Sequence, residues 1–386
     1  MQTTYYLERG AASLLGKLCA TSLACLRRFD SFAKVIAMPV SRDVSSDLSP
    51  SGSRVTLSEV ADRAGVSLST ISKVLNGRSD VSSATRSKVE ALLSEHGYLR
   101  RNAGQTRTQL LEVVFHELES AWAMEIIRGV KDVAAENGMS VVLTESGSRH
   151  APGPEWIESV MRRRPVGVVL VFSDLPPEYR DRLRSRAIPF VIIDPAGDPS
   201  PDVPSVGSAN WSGGLIATRH LIELGHTRIA AISGPEDMMC SHARIDGFRS
   251  AMTSAGLPIN PDWVRYGNFH IEGGSLNGRE LLSSSDRPTA IFAGSDLQAL
   301  GVLDAARSLG LRVPDDFSLV GYDDIPLAKW VSPTLTTVHQ PLRRMAEEAS
   351  RLVIRMSQAP LETVPRMDLA TTLVIRESTA PPPLAA

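Results

Sequence analysis

Residues 55–77, VTLSEVADRAGVSLSTISKVLNG, leave the chain the least choice of fold, because two short amphipathic stretches flank a glycine turn that has room only to join adjacent helices. In the first stretch Leu57, Val60, Ala61 and Ala64 recur at i, i+3, i+4 and i+7 and line one helical face. Thr56 followed by Glu59 has the spacing of a capping box, and Gly65 permits the positive φ that ends a helix sharply. Ser67 can cap the next helix, in which Ile71, Val74 and Leu75 form the inward stripe while Leu68, Ser69, Ser72 and Lys73 face outward. A third stripe, Val89, Leu92 and Leu93, begins after Ser82 and closes a three-helix unit. The outline is that of a helix-turn-helix, whose second helix is shaped to enter the major groove of DNA.

The segment resembles the DNA-binding headpiece of the LacI/GalR family of bacterial transcriptional regulators, through T-L-x-x-V-A, A-G-V-S, T-I-S-x-V-L-N-G, V-S-x-x-T-R and a closing G-Y. The resemblance implies that Leu68, Ser69 and Lys73 occupy base-reading positions. Lys73 can donate to guanine O6 or N7, Ser69 can bond several bases, and Leu68 can meet only an apolar edge such as the thymine methyl. The alternative for Leu68 is a core position, three residues before Ile71. Thr56, Ser67, Thr70, Ser72, Asn76, Ser82, Thr85 and Tyr98 match the family's phosphate-contact or positioning sites, which set register and not base preference.

Charge gives this reading modest support. Residues 51–110 hold nine basic and five acidic side chains, whereas the whole 386-residue chain has a formal charge of −2. No stretch approaches the roughly 20 apolar residues of a membrane span. Cys19, Cys25 and Cys240 form no disulfide framework and suit a reducing cytoplasm, and no metal-ligand spacing accompanies them. Residues 1–53 are expected to be a disordered leader or the product of a start set too far upstream, with Met38 the expected beginning.

Beyond residue 110 apolar runs alternate with amphipathic stretches: LLEVVF, EIIRGVKDVAAENG, SVVLTE, VGVVLVF and PFVIID. This is the rhythm of a parallel sheet covered on both faces, and it restarts at ATRHLIELGHTRIAAISG. Two α/β lobes follow, with a ligand expected where the carboxyl ends of their strands face each other. HLIELGHTRIAAISGP, ARIDGF, AIFAGSDLQALG, SLVGYDD and SPTLTTVHQP also resemble the LacI/GalR family, whose core is similar to a periplasmic sugar-binding protein. The resemblance spans about residues 54–376. It implies a headpiece at 54–99, a hinge linker at 100–110 and a core at 111–376. The core's N-subdomain would comprise about 111–208 plus 338–376 and its C-subdomain about 209–337, with 377–386 a frayed tail.

Carried over by residue, the resemblance implies an effector site of Trp122, Asp194, Arg244, Phe269, Ser295, Asp296 and Asp323. Carboxylates accept paired hydroxyl protons, arginine donates, and an aromatic plate meets the C–H face of a sugar ring. Structural alternatives stand beside this: Asp296 as a helix cap, Arg244 and Asp323 as salt-bridge partners, Phe269 as core. The linker YLRRNAGQTRTQLLEVV departs from the family pattern, with Arg100 in place of a proline, Gly104 of an alanine and Arg107 of the leucine that wedges the minor groove. Arg100, Arg101 and Arg107 would instead hold phosphates or enter a narrow groove.

The expected protein is a cytoplasmic homodimer on a pseudo-palindromic operator, a repressor of carbohydrate-use genes released by a saccharide, needing neither cofactor nor metal. Corepression and a solute-binding receptor are the alternatives. An enzyme is disfavoured, since GAASLLGK fails as a phosphate loop, HELES lacks a second histidine, and no G-x-S-x-G occurs.

Overall fold

The computed structural model describes residues 55–75, 81–96, 108–118, 120–147 and 151–383. The leader 1–53, Asn76, Tyr98, Arg100, Arg101, Gly104 and Arg107 lie outside the described residues.

Among the described residues three helices form the headpiece: α1 (Leu57–Ala64), α2 (Leu68–Leu75) and α3 (Ser83–Glu95). Thr56 and Glu59 make the reciprocal capping box, and the Thr56 backbone and hydroxyl bonds hold the Glu59 carboxyl below its ordinary range. Gly65, at φ 69°, closes α1 by donating to the carbonyls of Ala61 and Asp62. Ser67 Oγ accepts from the Thr70 amide at 3.2 Å, and Ser82 Oγ from that of Thr85 at 3.3 Å, so both later helices start on serine caps. Val60, Ala61, Ala64, Ile71, Val74, Val89 and Leu93 are buried together.

Among the described residues the body holds two six-stranded sheets. In the first lobe β1 (Leu110–Phe115), β2 (Ser140–Glu145), β3 (Gly167–Val171), β4 (Phe190–Ile193), β5 (Ser205–Ser208) and β11 (Arg366–Leu369) run parallel in the order β11-β5-β4-β3-β1-β2. Helices α4 (Ala121–Glu136), α5 (Pro154–Arg163), α6 (Pro177–Ser185) and α11 (Leu342–Gln358) belong to it. Gly129 lets α4 and α11 close up, since a Cβ there would collide with the Arg343 carbonyl oxygen. Glu112 interrupts the apolar run of β1 yet is fully buried. It accepts from Arg163 (2.6 Å), Trp156 (3.1 Å) and Thr144 (3.0 Å), a polar network that offsets desolvation of the carboxylate.

The second lobe contains α7 (Asn210–Glu223), β6 (Ile229–Ser233), α8 (Met239–Ser254), β7 (Val264–Tyr266), α9 (Ile271–Ser283), β8 (Ala290–Ala293), α10 (Asp296–Ser308), β9 (Ser318–Asp323), β10 (Thr336–His339) and β12 (Thr372–Val374). Its sheet order is β12-β10-β9-β8-β6-β7; β12 pairs antiparallel and the others pair parallel. Among the described residues no helix is long and apolar enough to cross a membrane.

The chain crosses between lobes three times: after β5, after β10 and after β11. The late crossings differ from the sequence expectation. β10 stays in the second sheet through His339, which pairs with Asp323, so the return falls after 339 and not at 338. β12 then leaves the first lobe again, before 376, because its strand completes the open edge of β10. The tail is also less frayed than its prolines suggest. Ser378 is buried, exchanges backbone and side-chain bonds with Leu319 and Thr336, and is followed by Ala380, whose carbonyl meets His226 at 2.9 Å.

Candidate functional site

Two surfaces carry chemistry. On α2 and its cap the side chains of Ser67, Leu68, Ser69, Ser72 and Lys73 are exposed, and Thr70 is half-buried. Leu68 is 54 % exposed, which rules out its core alternative, while Ile71 and Val74 on the opposite face are sealed. Ser67 Oγ is bonded to Ser69 Oγ at 2.7 Å and to Thr70 Oγ1 at 2.9 Å, so the hydroxyls at the start of this helix form one cluster. Thr56 and Ser82 are exposed at the starts of α1 and α3, and Thr85 is half-buried one turn into α3. The positive end of each short helix thus meets the same outer side chains that could hold phosphate.

The second surface is a cavity of about 490 Å³ between the lobes, built on strand carboxyl ends. Phe115, His116 and Glu117 follow from β1 and Phe172 from β3. Opposite them stand Asn268 and Phe269 after β7, Ser295 after β8 and Asp323 at the end of β9. Trp122, at the start of α4, stacks on Phe172 with centroids 4.6 Å apart and planes 27° from parallel. Phe269 enters from the other lobe at φ 64°, a left-handed backbone held because Ser295 Oγ donates to its carbonyl at 2.9 Å. Gly234 makes room for that ring, into which a Cβ there would run.

Arg244 projects from α8 into the cavity wall and is almost wholly buried. Its Nε donates to Asn210 Oδ1 at 2.9 Å and its Nη1 to the Gly294 carbonyl, and its guanidinium lies 3.8 Å from the Tyr322 ring centroid. Asp323 is also buried, and its Oδ1 has no hydrogen-bond partner among the described residues. Burial pushes the Asp323 carboxyl up to about 7, against the pull of Arg244. A buried carboxylate oxygen at a cavity wall beside a guanidinium is arranged to accept a ligand hydroxyl proton.

Of the seven residues expected at the effector site, Trp122, Arg244, Phe269, Ser295 and Asp323 line the cavity. Asp194 and Asp296 do not. Asp194, at φ 44°, turns toward the crossings, where its carboxylate accepts from the Ser208 amide at 3.3 Å and from Gln340 Nε2 at 2.9 Å. Asp296 occupies the first turn of α10 and bonds the Ile325 amide at 2.9 Å and the Thr337 hydroxyl at 2.5 Å. The cap of α10 is Ser295, so Asp296 neither caps nor reaches the cavity; it ties β9 and β10 to their helix. The sequence reading omitted Phe172, Glu117 and His270. His270 Nε2 meets Glu117 Oε1 at 2.7 Å across the lobes, and the Met239 amide donates to the Ala196 carbonyl at 2.8 Å. The available signal was position: Phe172 closes the run VGVVLVF and Glu117 follows LLEVVF, where strand ends meet a cleft.

Residues 56–101 match the family described as bacterial regulatory proteins, lacI family, and residues 218–379 match a periplasmic binding protein-like domain. The chain is 33 % identical to the HTH-type transcriptional repressor PurR of Vibrio vulnificus (strain CMCP6), covering 84 % of this chain and 98 % of that protein. A solved complex of the transcriptional regulator CelR with cellobiose is 34 % identical, with a TM-score of 0.63 over 84 % of this chain and 99 % of that one. The lac repressor dimer bound to operator and an anti-inducer, ONPF, is 27 % identical, with a TM-score of 0.62 over 84 % and 99 %.

Proposed function

The chain belongs to the lacI family of bacterial regulatory proteins, and from that premise we infer a repressor whose headpiece holds an operator and whose cleft decides whether it stays there. It is a DNA-binding transcriptional regulator that acts as a dimer on operator DNA and answers to a small-molecule effector. Two-fold symmetry makes the operator pseudo-palindromic, with one headpiece per half-site. The protein works in the cytoplasm, where its operator is.

The effector in this reading is a small saccharide, and its binding releases the operator. The observation that carries it is the cavity's composition: aromatic plates from both lobes, Trp122 on Phe172 and Phe269 opposite, flank a buried arginine and a carboxylate oxygen with no partner among the described residues. That is the pairing of C–H faces and hydroxyl acceptors a sugar ring requires. The cellobiose bound by the CelR relative supports the same chemistry. Phosphate contacts fall to Thr56, Ser67, Thr70, Ser72, Ser82 and Thr85, and base reading to Leu68, Ser69 and Lys73. The acidic residues of the cleft act as hydrogen-bond acceptors and not as an acid–base pair, so the effector leaves unchanged.

Ligand changes operator affinity only through its different affinity for two lobe arrangements, and the cross-lobe bonds of Gln340 and of Glu117 with His270 are the contacts that such a change would rework. The test is a mobility shift at fixed salt with the protein's own upstream intergenic DNA, across mono- and oligosaccharides, with each sugar recovered and analysed. Release by one sugar, recovered intact, is expected. Complex formation that requires a ligand would make the protein corepressed, and a hydrolysed sugar would make it an enzyme.

A further inference from the structure

Asp323 ends β9 on the cavity wall, and the backbone there takes an uncommon course: Asp323 has φ 114° and Asp324 φ 56°. Two consecutive left-handed residues that are not glycine persist only where their surroundings hold them. The aim of the Asp323 carboxyl depends on this turn. Its Oδ1 has no hydrogen-bond partner among the described residues, although the Asp296 amide supports the carboxyl group.

The turn is held at several points. The Gln340 amide donates to the Asp323 carbonyl at 3.3 Å, and the next residue's amide, that of Ile325, donates to Asp296 Oδ2 at 2.9 Å. The Asp324 carboxylate is gripped from two elements. His339 Nδ1, at the end of β10, meets its Oδ2 at 3.1 Å, and Arg376, two residues past β12, pairs with its Oδ1. The side chains of Arg376 and Asp324 are 12 % and 11 % exposed, so this pair is shielded from the water that weakens surface ion pairs. Arg376 is itself fixed, since its Nη1 donates to the Leu335 carbonyl at 2.6 Å and its amide to Thr336 Oγ1 at 2.9 Å.

The segment that carries Arg376 has other anchors. Before it β12 pairs with β10; after it Thr334 donates its amide and its hydroxyl to Glu377 Oε2, each at 3.0 Å, and Ser378 bonds Leu319 and Thr336. An ion pair that this segment does not need for its own attachment, made to a strained turn beside a cavity residue, acts on the turn. We propose that Arg376 is a positioning residue for the effector site: by gripping Asp324 it fixes the left-handed turn that aims the Asp323 carboxyl at the ligand. The proposal rests on the reading of the cleft as the effector site.

The test uses full-length protein carrying carbon-13 at the aspartate carboxyls, in which the Asp323 signal is identified by its loss in Asp323→Asn. In the unsubstituted protein Asp323, facing Arg244, Asp194 and Asp296, titrates at about 7. In Arg376→Met the released turn lets the carboxyl swing out of its buried seat, and its titration should fall to about 6 or lower, toward the ordinary carboxyl range. Removing a nearby cation without moving Asp323 would raise the value, so an unchanged or higher one would overturn the proposal. Arg376→Lys should restore about 7, and Glu377→Gln, which loosens the same segment without touching Asp324, should keep it. In calorimetry with D-glucose, D-ribose, cellobiose, maltose and lactose, any sugar held by the unsubstituted protein should bind Arg376→Met at least about tenfold more weakly and Arg376→Lys nearly as before. Equal weakening by Glu377→Gln would make Arg376 a mere tether and overturn the proposal. Failure of the unsubstituted protein to bind any of these sugars would count against the saccharide reading, while the titration still decides the role of Arg376.

Discussion

The headpiece side chains that we propose face DNA, Ser67, Leu68, Ser69, Ser72 and Lys73, sit on one helix and its cap, whereas the cleft joins Trp122 and Phe172 of one lobe to Arg244, Phe269 and Asp323 of the other. The first is a small exposed surface over a core of seven buried side chains among the described residues; the second is a cleft in which Arg244, Ser295 and Asp323 are almost wholly buried. Local rules make a reading surface that is easily varied residue by residue. Topology makes a site in which each polar group also ties the lobes together. Gln340 illustrates the second case: at one crossing it bonds Asp194 and Ser208 of the first lobe, and Arg244 donates weakly to its carbonyl at 3.4 Å.

The largest expected break of this contrast is Ile71→Ala. A fully buried isoleucine in so small a core costs about 2–5 kcal/mol on truncation, enough to unfold the headpiece. Operator binding in a mobility shift should disappear, while calorimetric binding of the effector stays as it was. Loss of both would mean that the two regions do not stand apart.

Arg244→Ala should do the reverse. It removes the donor to Asn210 and Gly294 and leaves Asp323 without its neighbouring cation. Effector affinity should fall at least about 100-fold, some 2.7 kcal/mol, with operator affinity little changed and no longer relieved by the sugar. A normal response to effector would remove Arg244 from the site.

Asp323 and Asp194 sharpen the comparison through pH. Burial raises them to about 7 and about 6, so the folded core binds protons that the unfolded chain has released. Their contribution to stability is full below the unfolded carboxyl value near 4 and is lost as pH rises through 6 and 7. Asp323→Asn should flatten that decline in a pH series of denaturant melts. Effector binding should strengthen as Asp323 ionises, since a carboxylate accepts hydroxyl protons better than the acid does; an effector affinity independent of pH from 6 to 8 would contradict its role.

Smaller effects belong to the headpiece. Thr56→Ala removes half of a capping box and should cost about 1 kcal/mol of headpiece stability, read from its thermal melt. Leu68→Ala, at a 54 % exposed position, should change stability by less than about 0.5 kcal/mol yet alter preference at one base pair in a selection experiment. Stability loss without altered preference would return Leu68 to the core.

These contrasts track what the sequence made legible. Thr56, Gly65, Ser67 and the three apolar stripes act over three or four residues, so the headpiece could be read directly. The alternating apolar runs announced two parallel sheets, but β5 (SVGS), β11 and β12 carry no such run, being short and partly polar, and the late crossings moved with them. In the cleft, Phe269, Ser295 and Asp323, named by analogy, stand on the cavity wall, while Asp194, although it directly follows β4, and Asp296 are turned elsewhere by local backbone geometry that no pattern records. Glu117 and His270 meet only because two lobes close, a contact between positions far apart in sequence.

If headpiece and cleft are coupled, each ligand must change the affinity of the other by the same factor. With the saccharide found by the shift screen, its dissociation constant should be measured calorimetrically with and without saturating operator. Operator should weaken sugar binding by the same factor, about 5- to 150-fold, by which sugar weakens operator binding. Equal sugar affinity in the two conditions would show that the cleft, whatever it binds, does not govern the headpiece.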